Sequence, residues 1–179
     1  MIRSSNEAEH AAAMAAADQM AAAARTAPKG CGLDHVITRI IDGAEQKQLA
    51  EEMRRIRREY DQDFFERDAR NVDNSHCVVL IGVEAIPTVL EHCGVCGYED
   101  CAACAKAGSH CAFTLTDLGI AIGSAVSLAA DHRIDNRVLY SAGKAALRCG
   151  FFPDNVKVCF AIPLSTGSKS IFFDRDPVE

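Results

Sequence analysis

The chain predicts an α+β sandwich interrupted by one cysteine-rich loop, and three observations carry that expectation. Helical stretches with apolar residues every three or four positions alternate with short β-branched runs. The run Cys77–Val83 is continuously apolar, as a strand covered on both faces must be. Five of the nine cysteines fall between Cys93 and Cys111. With 179 residues, 49% apolar and 25% charged, the chain can form one domain with a substantial core. That domain is expected to span residues 1–179, with the segment 92–112 inserted.

Ser4 or Ser5 can cap a first helix running to about Arg25, built largely of alanine, the best helix former. Pro28–Lys29–Gly30 stops it. Leu33–Ile41 reads as a strand through Val36, Ile37, Thr38, Ile40 and Ile41. Gly43 opens a long helix with Leu49, Met53, Ile56, Tyr60 and Phe64 on one face. Its charged face, Glu51 through Arg58, reads as solvated, with pairs such as Glu51 and Arg55. After Cys77–Val83 and the cysteine segment comes DLGIAIGSAVSLAA, apolar or small all the way round. A helix without a polar face needs cover on every side. Gly119, Gly123 and Ser127 form a stripe that admits a close neighbour, and a subunit interface would supply it, so a homodimer is expected. Arg137–Cys149 reads as a helix capped by Asp135 or Asn136 and ended by Gly150. Val156–Ile162 and Ser170–Phe173 read as strands joined by a turn at Ser165–Ser168.

Composition excludes some classes. A net charge of −6 with no basic stripe argues against nucleic-acid binding. The alanine-rich start lacks a basic region leading into an apolar one, so it is not a secretory signal. Leu115–Ala130 contains Asp117 and falls short of the roughly 20 apolar residues that cross a bilayer. A soluble cytoplasmic protein is expected. Gly167–Ser168–Lys169–Ser170 echoes a phosphate loop, but Pro163 stands where its first glycine should, and a turn is the better reading. No Ser/His/Asp or paired-carboxylate constellation can be argued from spacing, so no catalytic residue is named.

The cysteine segment reads C-x2-C-x4-C-x2-C-x6-C over Cys93, Cys96, Cys101, Cys104 and Cys111. Thiolates suit zinc and iron–sulfur clusters alike, and spacing separates the two. Zinc sites place about a dozen or more residues between two C-x2-C turns, so that two hairpins can face each other. Here four residues separate Cys96 from Cys101, a loop that wraps more naturally round a [4Fe–4S] cubane with its wide-set corners. Gly94 and Gly97 each follow a cysteine, where φ > 0 lets backbone N–H groups approach cluster sulfurs. A short helix from Cys101 through Ala105 would favour a thiolate at its N-terminus. Five cysteines compete for four corners. Cys93, Cys96 and Cys101 share the glycine-rich wrap. Cys104 shares a helix face with Cys101, whereas Cys111 lies beyond Gly108, where the chain can turn back, so Cys111 is preferred as the fourth ligand. His92 and His110 read as loop histidines, and Cys31, Cys77, Cys149 and Cys159 as small core residues.

CGVCGYEDCAAC resembles the CG-x-CGY-x-x-C motif of the four-cysteine [4Fe–4S] domain in the B subunit of Rnf electron-transport complexes and in corrinoid iron–sulfur proteins. Taken with DLGIAIGSAVS, IDNRVLYSAG, IPLS and FFDR, the chain as a whole resembles the bacterial and archaeal ferredoxin-domain-containing proteins. AAAARTAPKG and DLGIAIGSAVSLAADHRID are also similar to the opening and the central helix of the flavin-dependent nitroreductase fold. That second resemblance implies an α/β sandwich, an intertwined homodimer, and FMN at the interface with its phosphate held by arginines near the N-terminus. Only Arg3–Ser4–Ser5 stands near that place, and the paired arginines are absent, so weak or no FMN binding is expected. Together the resemblances imply an iron–sulfur redox protein, carrying electrons or serving as a cluster-dependent oxidoreductase. The alternatives are a binding protein whose loop is ordered by a cluster or zinc, and a cysteine-based redox sensor.

Overall fold

The computed structural model describes residues 2–173. A four-stranded antiparallel sheet in the order β1-β2-β4-β3 forms the middle layer of an α/β sandwich. The strands are β1 (Val36–Ile41), β2 (Cys77–Glu84), β3 (Asp135–Asn136) and β4 (Val156–Ser165). The helices are α1 (Ser5–Thr26), α2 (Gly43–Tyr60), α3 (Phe64–Asp73), α4 (Cys101–Lys106), α5 (Ala112–Asp131) and α6 (Tyr140–Arg148).

Alternation along β2 distributes the core. Cys77, Val79, Ile81 and Val83 face α1 and α5, while Val78 and Leu80 face α2, α3 and α6. Both sets are buried, which is why this strand has no polar position before Glu84. On one side α1 packs on α5 through Ala13, Ala16, Ala17, Met20 and Ala24 against Leu118, Ala121, Ala125 and Ala129. The alanines therefore do more than favour helix: their small side chains let the two helices approach. The Ser124 hydroxyl crosses to the Ala23 carbonyl at 3.0 Å. Ser4 caps α1 in a reciprocal box with Glu7.

The other layer is locked by buried polar groups. The Gln46 amide donates to the Val72 and Ser75 carbonyls, joining α2 to the end of α3. The Ser141 hydroxyl donates to the Asp68 carboxylate at 2.6 Å, joining α3 to α6. Leu49, Met53 and Ile56 of α2 are fully buried, each stabilising the fold by about 2–3 kcal/mol.

The structure differs from the expectations in several places. The helix from Gly43 ends at Tyr60 because Asp61 adopts a left-handed conformation, and α3 starts separately at Phe64. Tyr60 and Phe64 consequently lie exposed rather than on the buried face. Asp135 and Asn136 pair with β4 instead of capping a helix, and α6 begins only at Tyr140. Ser170–Phe173 forms a turn, not a strand, so Ser165–Ser168 makes no hairpin with it. Asp174 and Arg175 of the FFDR stretch lie outside the described residues. Gly119, Gly123 and Ser127 do not face α1: they are exposed, and a Cβ at either glycine would meet open space. By length and composition α5 could cross a membrane, yet here its inner face packs on the sheet and α1. Cys77 and Cys159 are buried core residues as expected, Cys149 is partly buried, but Cys31 is exposed in a left-handed conformation.

Candidate metal centre

β2 and α5 hold the cysteine segment between them. The chain leaves the sheet at Glu84, whose carboxylate accepts from Asn155 at 2.7 Å and faces the His35 ring at 3.3 Å. The Thr114 hydroxyl, in the first turn of α5, donates to the Ile86 carbonyl at 2.9 Å. That bond pins the start of the segment beside its end.

Within the segment the glycines act as their positions predict. Gly94, Gly97 and Gly108 have φ of 60°, 85° and 66°. Gly97 N–H closes a turn onto the Gly94 carbonyl at 2.9 Å. The Asp100 carboxylate caps α4, accepting from the Ala103 N–H at 2.7 Å, and so fixes Cys101 at its first position. Gly108 then reverses the chain, and Cys111 becomes the N-cap residue of α5. Val89 and His92 also take φ of 54°. For Val89 that is a costly conformation, held by the folded loop.

Cys93, Cys96, Cys101, Cys104 and Cys111 all line one recess, walled by Pro87, Val95 and Phe113. His92 and His110 do not line it; His110 sits instead beside Glu84 in an adjoining cleft. Among the described residues no three Cys, His, Asp or Glu side chains are placed to hold one metal ion.

The electrostatics set Cys104 and Cys111 apart from each other. Burial pushes the Cys111 thiol up, but the backbone N–H groups and hydroxyls of Thr88 and Thr114 outweigh that and bring it down to about 7. Cys104, 2% exposed, is pushed the other way by burial and by its hydrogen bond to Cys96. Cys111 therefore reaches the thiolate form, the form that binds metal, more readily than Cys104. A soft, all-cysteine donor set walled by apolar side chains fits an iron–sulfur cluster. The bonds to Cys111 are ones that sequence reasoning missed, because Thr88 and Thr114 are brought together only by the fold.

Residues 107–175 match a family described as an uncharacterised protein containing a ferredoxin domain. The match takes in Cys111 and all of α5 but begins after the other four clustered cysteines. An uncharacterised protein of Archaeoglobus fulgidus is 40% identical over 166 residues, covering 88% of this chain and 89% of that one. The chain belongs to this ferredoxin-domain family. In those broad terms this ferredoxin-domain protein is a redox protein.

Its fold is that of the nitroreductases. A nitroreductase with bound FMN from Desulfitobacterium hafniense superposes with a TM-score of 0.59 at 16% identity, covering 94% of this chain and 81% of that one. A second, also with bound FMN, from Bacteroides fragilis, gives 0.59 at 13%, covering 92% and 83%. At such identities the likeness is one of fold.

Proposed function

We propose that this ferredoxin-domain protein is a cytoplasmic electron carrier whose Cys93, Cys96, Cys101 and Cys111 hold a [4Fe–4S] cluster. The observation that carries this reading is the convergence of five cysteines on one apolar recess, with Cys111 stabilised as a thiolate at its edge. A bound cluster would supply one-electron chemistry. The protein's own part is to set the ligands on the wrap between β2 and α5, to shield them with Pro87, Val95 and Phe113, and to offer N–H and hydroxyl donors to the Cys111 sulfur. Such donors tune the potential of a thiolate-bound cluster.

We further propose that the functional unit is a homodimer joined through the exposed face of α5. Purification without oxygen tests the cofactor reading. Brown protein that bleaches with dithionite, with about four irons and four sulfides per chain, is the expected result. Colourless protein carrying stoichiometric zinc would instead favour a loop-ordering role for the metal.

A further inference from the structure

The chain is acidic overall, with 25 carboxylates against 19 Lys and Arg, yet one groove gathers five arginines. Between α2 and α3, Arg54, Arg57, Arg58, Arg67 and Arg70 line a groove of about 790 Å³, with Asp63 and Glu66 as its acidic members. The carboxylates that pair with these arginines (Glu51, Asp63, Glu66, Asp68 and Asp73) equal them in number, so the groove offers an anion unspent guanidinium N–H donors rather than a net positive charge. The volume falls within the roughly 300–1,000 Å³ of small-molecule sites.

Internal pairing accounts for most of these arginines. Arg54 pairs with Glu51, Glu66 and Asp73, Arg57 with Asp63, Arg67 with Asp68, and Arg70 with Glu66. Arg58 has no such partner among the described residues. Asn71 adds a second, independent observation. It is 6% exposed, it lines the groove, and its Nδ2 has no hydrogen-bond partner. A buried amide donor left open costs about 1–3 kcal/mol unless an acceptor reaches it. Ile171 and Phe172 close one side of the groove with apolar surface.

We infer that this groove is a binding site for an organic polyphosphate of nucleotide size, separate from the cysteine recess. Guanidinium forks match phosphate oxygens, Asn71 offers a neutral donor, and Ile171 and Phe172 offer an apolar wall for the organic part. The groove shares no lining residue with the cysteine recess.

Calorimetric titration of the anaerobically purified full chain with ATP, inorganic pyrophosphate and adenosine tests this. ATP should bind more tightly than pyrophosphate, adenosine should give no signal, and ATP affinity should fall as salt rises. Arg57→Gln with Arg58→Gln, the first half-buried and the second exposed, should weaken ATP on the order of tenfold or more without changing iron content. ATP failing to bind at millimolar concentration would overturn the site, as would affinity unchanged in the double variant. Pyrophosphate binding as tightly as ATP would overturn the organic part of the assignment.

Discussion

The Thr88 hydroxyl lies 3.6 Å from the Cys111 sulfur, tying the strand-exit side of the cysteine segment to the head of α5. These residues are 23 positions apart, and the whole candidate ligand loop lies between them. The contact therefore closes the loop and tunes its last thiol at once.

The first prediction follows from that tuning. In protein stripped of metal, alkylation of Cys111 should rise through pH about 7, read by peptide mass spectrometry. Cys77, pushed up to about 12 by burial, and Cys149, pushed up to about 11 by burial, should stay unreactive over the same range. Because the folded chain holds the Cys111 value below its ordinary 9.0, the thiolate stabilises the fold fully above that value, and the contribution is lost as pH falls through about 7. The stripped protein should thus melt lower at mildly acidic than at mildly alkaline pH. Thr88→Val should shift the alkylation profile upward.

The second prediction assigns the ligands. Cys111→Ser should lose most of the iron and sulfide and loosen the loop, while Cys104→Ser should keep both close to wild type. Cys104 is a buried thiol hydrogen-bonded to Cys96, and under the proposed assignment its loss removes packing rather than a ligand. The opposite pattern in iron and sulfide analysis would make Cys104 the fourth ligand.

Much of this was legible from the residues, for identifiable reasons. Continuous apolarity marked β2, Gly94 and Gly97 marked the turns of the wrap, and the cysteine spacing marked the residues that share one recess. What escaped was set by contacts distant in sequence. Asp61 can break a helix only if left-handed geometry is accepted there, and the three- and four-residue spacing through Tyr60 and Phe64 gave no sign of it. Ser170–Phe173 has the apolar content of a strand but closes on itself as a turn. The opposed settings of Cys104 and Cys111 depend on Thr88, Thr114 and Cys96 meeting in space.

The third prediction concerns the sandwich itself. A Cβ on Gly143 would stand 1.9 Å from the Cys159 carbonyl oxygen, so α6 can lie on β4 only with glycine there. Gly143→Ala must push helix from strand, and should cost about 3 kcal/mol or more. A lowered urea midpoint with an unchanged slope is the expected reading.

The fourth concerns flavin. The Arg3 guanidinium donates to the Glu7 carbonyl at 3.1 Å, and Ser4 is committed to its capping box. The N-terminal residues thus have local partners rather than a free pair of cations for a phosphate. Added FMN should bind weakly and wash out on gel filtration. Protein that retains a full complement of FMN through that step would contradict the expectation.

The last prediction returns to α5. Its inner face, Leu118, Ala121, Ala125 and Ala129, is buried against the sheet and α1. Its outer face carries Leu115 and Ile120, 38% and 41% exposed, with Gly119 and Gly123 between and beyond them. Large apolar side chains beside glycines make a surface that a second helix can approach closely, and water gains nothing from covering it. A homodimer that pairs this face should sediment as a dimer at micromolar concentration, and its melting temperature should rise with protein concentration. Ile120→Lys changes an already exposed position, so the subunit should fold normally while dimerisation weakens on the order of tenfold or more. A stable monomer at micromolar concentration, or a lysine variant that dimerises as well as wild type, would place the interface elsewhere or remove it.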